Sequence, residues 1–274
     1  MLEKILIIIT LSVVEGITEF LPISSTGHMI IVERIINSIL FSKEFMNNFL
    51  IIVQFGAILA VLVKFFKKLN PFGYDKKHFL LTMNLWFKII AALIPTVFIG
   101  LILDDYISNY FLDNVYVVAA SLIFYGILLI IIENKSPKNN GAYKINSFTK
   151  ITYREAFFIG TFQCLAMIPG TSRSGATIIG SLLLGISRTI AAEFSFFLAV
   201  PTMFGATLLK LVKSGFNFTF EESMFLLLGV LISFIVAYIS INWFMNFIKK
   251  RKFSYFGLYR ILLGIVVFIY FLKF

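Results

Sequence analysis

Three stretches of this chain, residues 45–63, 115–132 and 223–248, carry no charged side chain and are mostly apolar. Each is long enough to cross a hydrocarbon core of roughly 30 Å as a helix. A soluble core could bury one such run. Several of them, in a chain of 274 residues that is 59% hydrophobic and 14% charged, would leave too little polar surface to keep it dissolved. The chain is therefore expected to be integral to a membrane.

A net charge of +10 would raise the question of nucleic acid in a soluble protein. Here the Lys and Arg residues gather in short loops, which is a signal of membrane orientation, and no nucleic-acid partner is expected. The loop from Lys64 to Lys88 holds six Lys against Asp75, 133–154 holds five Lys or Arg against Glu133, and 249–252 reads Lys-Lys-Arg-Lys. By the positive-inside rule all three are cytoplasmic. The loop 104–114, with Asp104, Asp105 and Asp113 and no base, is then external, as is the mixed loop around 213–222. Six spans result, near 46–63, 86–103, 115–132, 190–210, 223–247 and 256–272. The lone Cys164 excludes an intramolecular disulfide. Lys4 followed by ILIIITLSVV imitates a signal peptide, but no small-residue cleavage pattern follows, and Glu15 and Glu19 come directly after it. The segment is expected to be retained.

Parity then sets a further requirement. The chain is inside at 133–154 and must be inside again near Arg188 to begin the 190–210 span, so residues 155–187 enter and leave by one face. They contain Pro169, Gly170, Gly175 and Gly180, which interrupt any helix long enough to cross. A re-entrant pair of short helices fits, its irregular backbone tolerated where protein or a wet cavity surrounds it. Residues 1–41 are broken in the same way at Gly16, Pro22 and Gly27. An internal repeat joins the two segments: at an offset of 148, Glu15, Ser24, Thr26 and Gly27 fall on Gln163, Ser172, Ser174 and Gly175. At 149, Phe55-Gly56-Ala57 falls on Phe204-Gly205-Ala206. The expected fold is an all-α polytopic membrane protein, six transmembrane helices plus two re-entrant helix pairs, arranged as two inverted repeats. It forms one membrane domain over 1–274, with repeat 1 at about 1–133, a cytoplasmic linker at 134–153 and repeat 2 at 154–274. Inverted repeats of this kind put binding sites near the bilayer midplane, between the halves.

The first broken segment reads EGITEFLPISSTGHM, residues 15–29. Glu15 and Glu19 are four apart, so on a helix both carboxylates leave one face, one turn apart. Two carboxylates in apolar surroundings repel and are costly to desolvate unless a cation sits with them. That argues for a divalent metal, and oxygen ligands of this kind suit Mg2+ or Ca2+, which complete their shells with water and substrate phosphate. The plainer alternative is two glutamates at a membrane edge. After Pro22 come Ser24, Ser25, Thr26, Gly27 and His28. One of the hydroxyls is expected to cap a helix. His28 lies three residues after Ser25, near enough to relay a proton if a helical turn begins there.

The second segment reads PGTSRSGAT, residues 169–177, and Arg173 is the only charge between Glu155 and Arg188. A guanidinium at membrane depth needs an anion, and its planar fork suits phosphate oxygens. Ser172, Ser174, Thr177 and the backbone amides after Gly170 would complete an anion cradle. The alternative is an ion pair from Arg173 to Glu15 or Glu19. Glu193 has no evident chemical role and is expected to pair with Arg188 or Arg173.

The pair EGITEFLPISSTGH and PGTSRSGAT resembles the undecaprenyl-diphosphatase, or bacitracin-resistance, family of bacterial membrane phosphatases. The resemblance extends through YREAFFIGTFQCLA, residues 153–166, and EFSFFLAVP, residues 193–201. It implies hydrolysis of undecaprenyl diphosphate to the monophosphate, recycling the carrier lipid for cell-wall synthesis. It also implies divalent-metal dependence, a multi-pass location in the bacterial plasma membrane and an active site opening to the external face. By position, the acidic motif falls on Glu15 and Glu19, the hydroxyl and histidine positions on Ser24, Ser25, Thr26 and His28, and the phosphate-binding arginine on Arg173. Ser25 is the candidate nucleophile, with His28 moving protons. Expected partners are a polyprenyl diphosphate, membrane lipids and a second copy of the chain in a homodimer. A transporter or lipid flippase using the same anion site is the rival reading, since broken helices and a midplane charge also build transporters.

Overall fold

The structure is a computed structural model that describes residues 1–36, 40–111, 114–137, 143–214 and 218–273. Twelve α-helices follow one another among them: α1 Leu2–Thr18, α2 Ser25–Ile36, α3 Lys43–Ile52, α4 Gln54–Lys64, α5 Phe66–Leu69, α6 Lys76–Tyr110, α7 Val115–Lys135, α8 Tyr153–Cys164, α9 Arg173–Leu183, α10 Arg188–Ser214, α11 Phe220–Lys250 and α12 Ser254–Lys273. No strand forms among the described residues beyond one isolated bridge between Ile145 and Ile186. Six helical stretches are long and apolar enough to cross a membrane: Lys43–Lys64, Lys76–Leu103, Val115–Lys135, Arg188–Leu209, Phe220–Lys250 and Ser254–Phe271. They overlap the six expected spans.

The helix starts follow from side-chain caps. Asp75 accepts from the His78 amide to open α6, and Asn114 accepts from the amides of Tyr116 and Val117 to open α7. Thr152 and Thr219 begin α8 and α11 with capping boxes closed by Glu155 and Glu222. Both boundaries of α6 differ from expectation: it opens at Lys76 rather than near 86. Helix α6 continues through Asp104 and Asp105 to Tyr110, because no Pro or Gly interrupts it there. Asp113 of the expected external loop, residues 138–142 of the linker and 215–217 of the second external loop lie outside the described residues.

Polarity is inverted relative to a soluble bundle. The outer surface carries Phe98, Leu101, Ile102, Ile239 and Val266, all more than half exposed, while Glu15, Gln163, Ser174, Thr177 and Arg260 are buried. Large exposed apolar area of this kind marks a lipid-facing surface. The interior is held by aromatic packing: Phe20 meets Phe196 edge-on at 5.1 Å, Phe65 meets Phe197 at 5.2 Å and Phe196 meets Phe244 at 5.8 Å.

Glycine permits a close helix crossing between α7 and α12. A Cβ on Gly126 would lie 2.8 Å from the Gly257 carbonyl oxygen, and one on Gly257 would lie 2.7 Å from that of Gly126. Backbones come this near only where small residues face each other. Two further crossings mirror one another, since α1 packs on α11 and α8 packs on α6.

Specific contacts tie the regions flanking both broken segments to other helices. Arg188, which opens α10, pairs with Glu133 near the end of α7 at 2.5 Å. The Ile145 amide donates to Gly185 O, and the Ser187 amide donates to Ile145 O. The segment ahead of α8 is thus tied to the link between α9 and α10. At the other broken segment, Lys4 of α1 lies 5.7 Å from the ring of Phe41, just ahead of α3, and pairs with Glu221 at 3.1 Å. Glu193 does not pair with Arg188 or Arg173 as expected. Its carboxylate bonds Lys68 at 2.6 Å, because α10 brings it to the end of the α4–α5 arm and Glu133 already occupies Arg188.

The Glu133 side chain is fully buried. Arg188→Ala, which strands that carboxylate, should therefore cost about 3–5 kcal/mol of stability. The check is the thermal unfolding temperature in detergent, where the paired apolar replacement Glu133→Leu with Arg188→Met should recover most of the loss. An unchanged midpoint for Arg188→Ala would remove the pair from the fold's support.

Candidate active site

Two unwound turns meet in the interior. The first follows α1: the Glu19 amide still donates to Glu15 O at 3.0 Å, so the two carboxylates do share a helix face, one turn apart. Pro22 cannot continue the helix, and Ser24, at φ 73°, turns the chain into α2. The second turn follows α8 through a 3-10 turn at Leu165–Met167, then Gly170 at φ 88° and Ser172 at φ 70°, into α9. Ser24 and Ser172 are the non-glycine residues with positive φ among the described residues. A left-handed residue with a side chain costs roughly 1–2 kcal/mol, and each serine offsets this as a cap: Ser24 Oγ accepts from the Gly27 amide at 3.3 Å, and Ser172 Oγ from the Gly175 amide at 3.1 Å.

The charges meet at Glu19. Ser25 Oγ donates to Glu19 Oε2 at 2.7 Å, and Arg173 Nη2 donates to Glu19 Oε1 at 3.2 Å. One carboxylate therefore holds the hydroxyl of one broken segment and the guanidinium of the other. Arg173 sits in the first turn of α9, where the helix dipole disfavours a cation, so the carboxylate also offsets that cost. Its Nη1 donates to Ser195 O at 2.9 Å, its plane lies 5.7 Å from the Phe20 ring, and its Nε is buried without a partner. Glu15 is 1% exposed, lies against Glu19, and leaves Oε1 without a hydrogen bond.

This donor set fits a hard divalent cation. Two adjoining carboxyl groups face one guanidinium, and one carboxyl oxygen is orphaned in a buried place. No cluster of three or more His, Cys, Asp and Glu side chains forms among the described residues. The protein's share would be Glu15 and Glu19, with substrate oxygens and water supplying the rest.

The other expected residues divide. A helical turn does begin at Ser25, yet His28 does not bond it: Nδ1 lies 2.7 Å from Ser24 O, and Nε2 lies 2.7 Å from the Tyr259 hydroxyl. The expected Ser25–His28 contact gives way to Ser25–Glu19, because Glu19 lies on the Ser25 side of the turn while the ring of His28 reaches α12. Ser174 Oγ donates to Leu21 O at 2.9 Å, joining the two turns. Thr177 is fully buried and bonds Arg173 O, Ser174 O and Ser195 Oγ. With Ser24 and Ser172 acting as caps, these four hydroxyls hold the turns rather than stand free as a cradle. Gly170 packs against α7, where a Cβ would lie 2.5 Å from Val118 O, and Thr26 is exposed.

Arg260 completes the construction. This residue of α12 is 1% exposed, donates from Nη1 to Pro22 O at 3.3 Å and from Nη2 to Gly170 O at 3.0 Å and Thr171 O at 2.8 Å. It grips both turns at once. The signal in the sequence was a single charge inside the last apolar span, which by cost alone marks a residue with buried partners. Tyr259 carried no such signal.

The sequence profile described as bacitracin resistance protein BacA matches residues 8–266. The chain belongs to that family. An undecaprenyl-diphosphatase of Fusobacterium nucleatum is 60% identical over 260 residues, covering 95% of this chain and 98% of the relative. One from Desulfitobacterium hafniense is 53% identical over 266 residues, covering 96% and 94%, and one from Enterococcus faecalis is 48% identical over 268 residues, covering 96% of each. In this BacA-family chain both polar turns and Arg260 lie inside the matched range.

Arg260→Lys keeps the charge but cannot span Pro22 O and Thr171 O together. Hydrogen bonds to a charged group contribute about 1.5–3 kcal/mol each, so phosphatase turnover should fall at least tenfold and the thermal midpoint should drop. Parent-like turnover and midpoint would show that charge alone suffices.

Proposed function

We propose that this chain is an integral membrane phosphatase that hydrolyses undecaprenyl diphosphate to undecaprenyl phosphate and inorganic phosphate, recycling the lipid carrier of peptidoglycan synthesis and giving resistance to bacitracin. The observation that carries it is the carboxylate of Glu19, shared between the Ser25 hydroxyl and the Arg173 guanidinium. Ser25 Oγ attacks the terminal phosphorus and its proton passes to Glu19, 2.7 Å away. The bond from phosphorus to the bridging oxygen breaks, and undecaprenyl phosphate leaves. Arg173 turns its fork from Glu19 to the phosphoryl oxygens, where charge is spread in the transition state. Water then attacks the phosphoserine and gives a proton to His28; inorganic phosphate departs as Ser25 recovers its proton from Glu19. A divalent cation held by Glu15 and Glu19 would supply further neutralisation of the diphosphate.

The same reading extends to architecture. Two inverted repeats, each opening with a re-entrant pair, are supported by four mirrored features. Ser24 and Ser172 share a positive φ, and Gly27 and Gly175 donate to them. The pairs α1–α11 and α8–α6 pack alike, and specific contacts tie the regions flanking each broken segment to other helices. At the offset of 148, Ser25 corresponds to Arg173, so the halves bring unlike chemistry to equivalent positions. The basic loops face the cytoplasm and the site opens to the external face.

Purified protein should release inorganic phosphate from a polyprenyl diphosphate, and a chelator should stop it. Ser25→Ala should lower turnover by roughly a thousandfold or more, on the scale seen when catalytic units are broken. A transporter or flippase on the same anion site would release none, and substantial activity in Ser25→Ala would replace the covalent route by direct attack of water. Orientation has a separate check: in a Cys164→Ser background, cysteines replacing Lys250 and Ser108 should be labelled from the cytoplasmic and external faces respectively. The reverse pattern would invert the topology.

A further inference from the structure

His28 is held from both sides of its ring. Nδ1 lies 2.7 Å from Ser24 O, a carbonyl that can only accept, so Nδ1 carries the proton. In the neutral ring Nε2 is then a bare acceptor with one lone pair in the plane of the ring. The Tyr259 hydroxyl lies 2.7 Å from it, and the two rings are 5° from parallel with centroids 5.6 Å apart. Tyr259 therefore donates, and its oxygen fills the only direction from which Nε2 can receive a proton. Tyr259 is 43% exposed, while its neighbour Arg260 is buried against the two turns.

We propose that Tyr259 takes part in the phosphatase reaction by fixing His28 in the Nδ1–H tautomer and passing the proton to its Nε2. The proposal rests on the reading of His28 as the proton acceptor in hydrolysis of the phosphoserine. The step balances without a net change at the tyrosine: the hydrolytic water loses a proton to the Tyr259 oxygen as the hydroxyl proton of Tyr259 moves to Nε2. Imidazole becomes imidazolium, and the water becomes the hydroxyl of the departing phosphate. The hydrogen bond persists with its direction reversed, Nε2–H donating to the Tyr259 oxygen. Such a chain needs both contacts short at once, as the two 2.7 Å distances provide.

Because the chain has only two histidines, His28 and His78, the arrangement can be read directly. His78 lies away from this site, with Nε2 3.1 Å from Asn70 O. In a His78→Gln background with nitrogen-15 imidazole, the remaining ring should show a protonated Nδ1 and a bare Nε2 displaced by a hydrogen bond. Tyr259→Phe removes one oxygen and should abolish that displacement and mix the tautomers. It should also lower kcat about tenfold to a hundredfold with KM nearly unchanged. The proton inventory of kcat in mixed light and heavy water should be curved for the parent, where two protons move, and linear for Tyr259→Phe. A parent ring with protonated Nε2, or a Tyr259→Phe protein with parental kcat, overturns the proposal. If His28→Gln retains full kcat while the Tyr259 displacement is present, the proton-acceptor reading of His28 is what fails, and the relay fails with it. If His28 is essential but the displacement is absent, the relay alone is wrong and the phosphatase reading stands.

Discussion

A guanidinium on the last helix satisfies carbonyls that two broken turns leave without helical partners. The two polar turns depend on that arrangement, because unwound backbone inside a hydrocarbon layer has no water to bond. Arg260 takes Pro22 O from one turn and Gly170 O and Thr171 O from the other. Ser174 adds a bond from the second turn to Leu21 O of the first. The turns are thereby fixed to each other, and Ser25, Glu19 and Arg173 come within hydrogen-bond reach. The geometry on which the proposed chemistry rests is a by-product of solving the backbone's own problem.

The electrostatics follow from the same placement. Two carboxylates on one helix face would repel in the interior, but Arg173 on the first turn of α9 faces them from the other half. The cation is poorly placed with respect to its own helix and well placed with respect to Glu19. Each group is costly alone and tolerable in company. In the proposed reaction a diphosphate would compete for the Arg173 fork, and the carboxylate it displaced would be the one bonded to Ser25. Binding of the phosphate and release of Glu19 toward the hydroxyl would then be one event.

Much of this was legible in the sequence because it rests on local rules. Uncharged length located the six spans, and Pro and Gly located the two breaks. The i, i+4 spacing of Glu15 and Glu19 anticipated a shared face. What was not legible depends on which helix ends lie beside each other. His28 was assigned to Ser25 by nearness in sequence, yet its ring reaches Tyr259, 231 residues away. Glu193 was given to an arginine, whereas the end of the α4–α5 arm brings Lys68 to it. The hydroxyls of Ser174 and Thr177 read as phosphate ligands by composition, but burial commits them to carbonyls and to Ser195. Arg260 was not singled out from the sequence, although a lone charge in an apolar span is a signal that marks such a residue.

The crossing of α7 and α12 bears on all of this from a distance. Gly126 and Gly257 bring those two backbones together, and Arg260 stands one helical turn beyond Gly257, on the stretch that this contact clamps. The glycine pair thus works as a gauge: it sets how deep α12 seats, and so how far a side chain of fixed length can reach. Widening it by a single methyl would draw the guanidinium back from the carbonyls it spans, with no change to any residue that touches phosphate. In this molecule the tolerance of the chemistry is set by two residues that have no side chains.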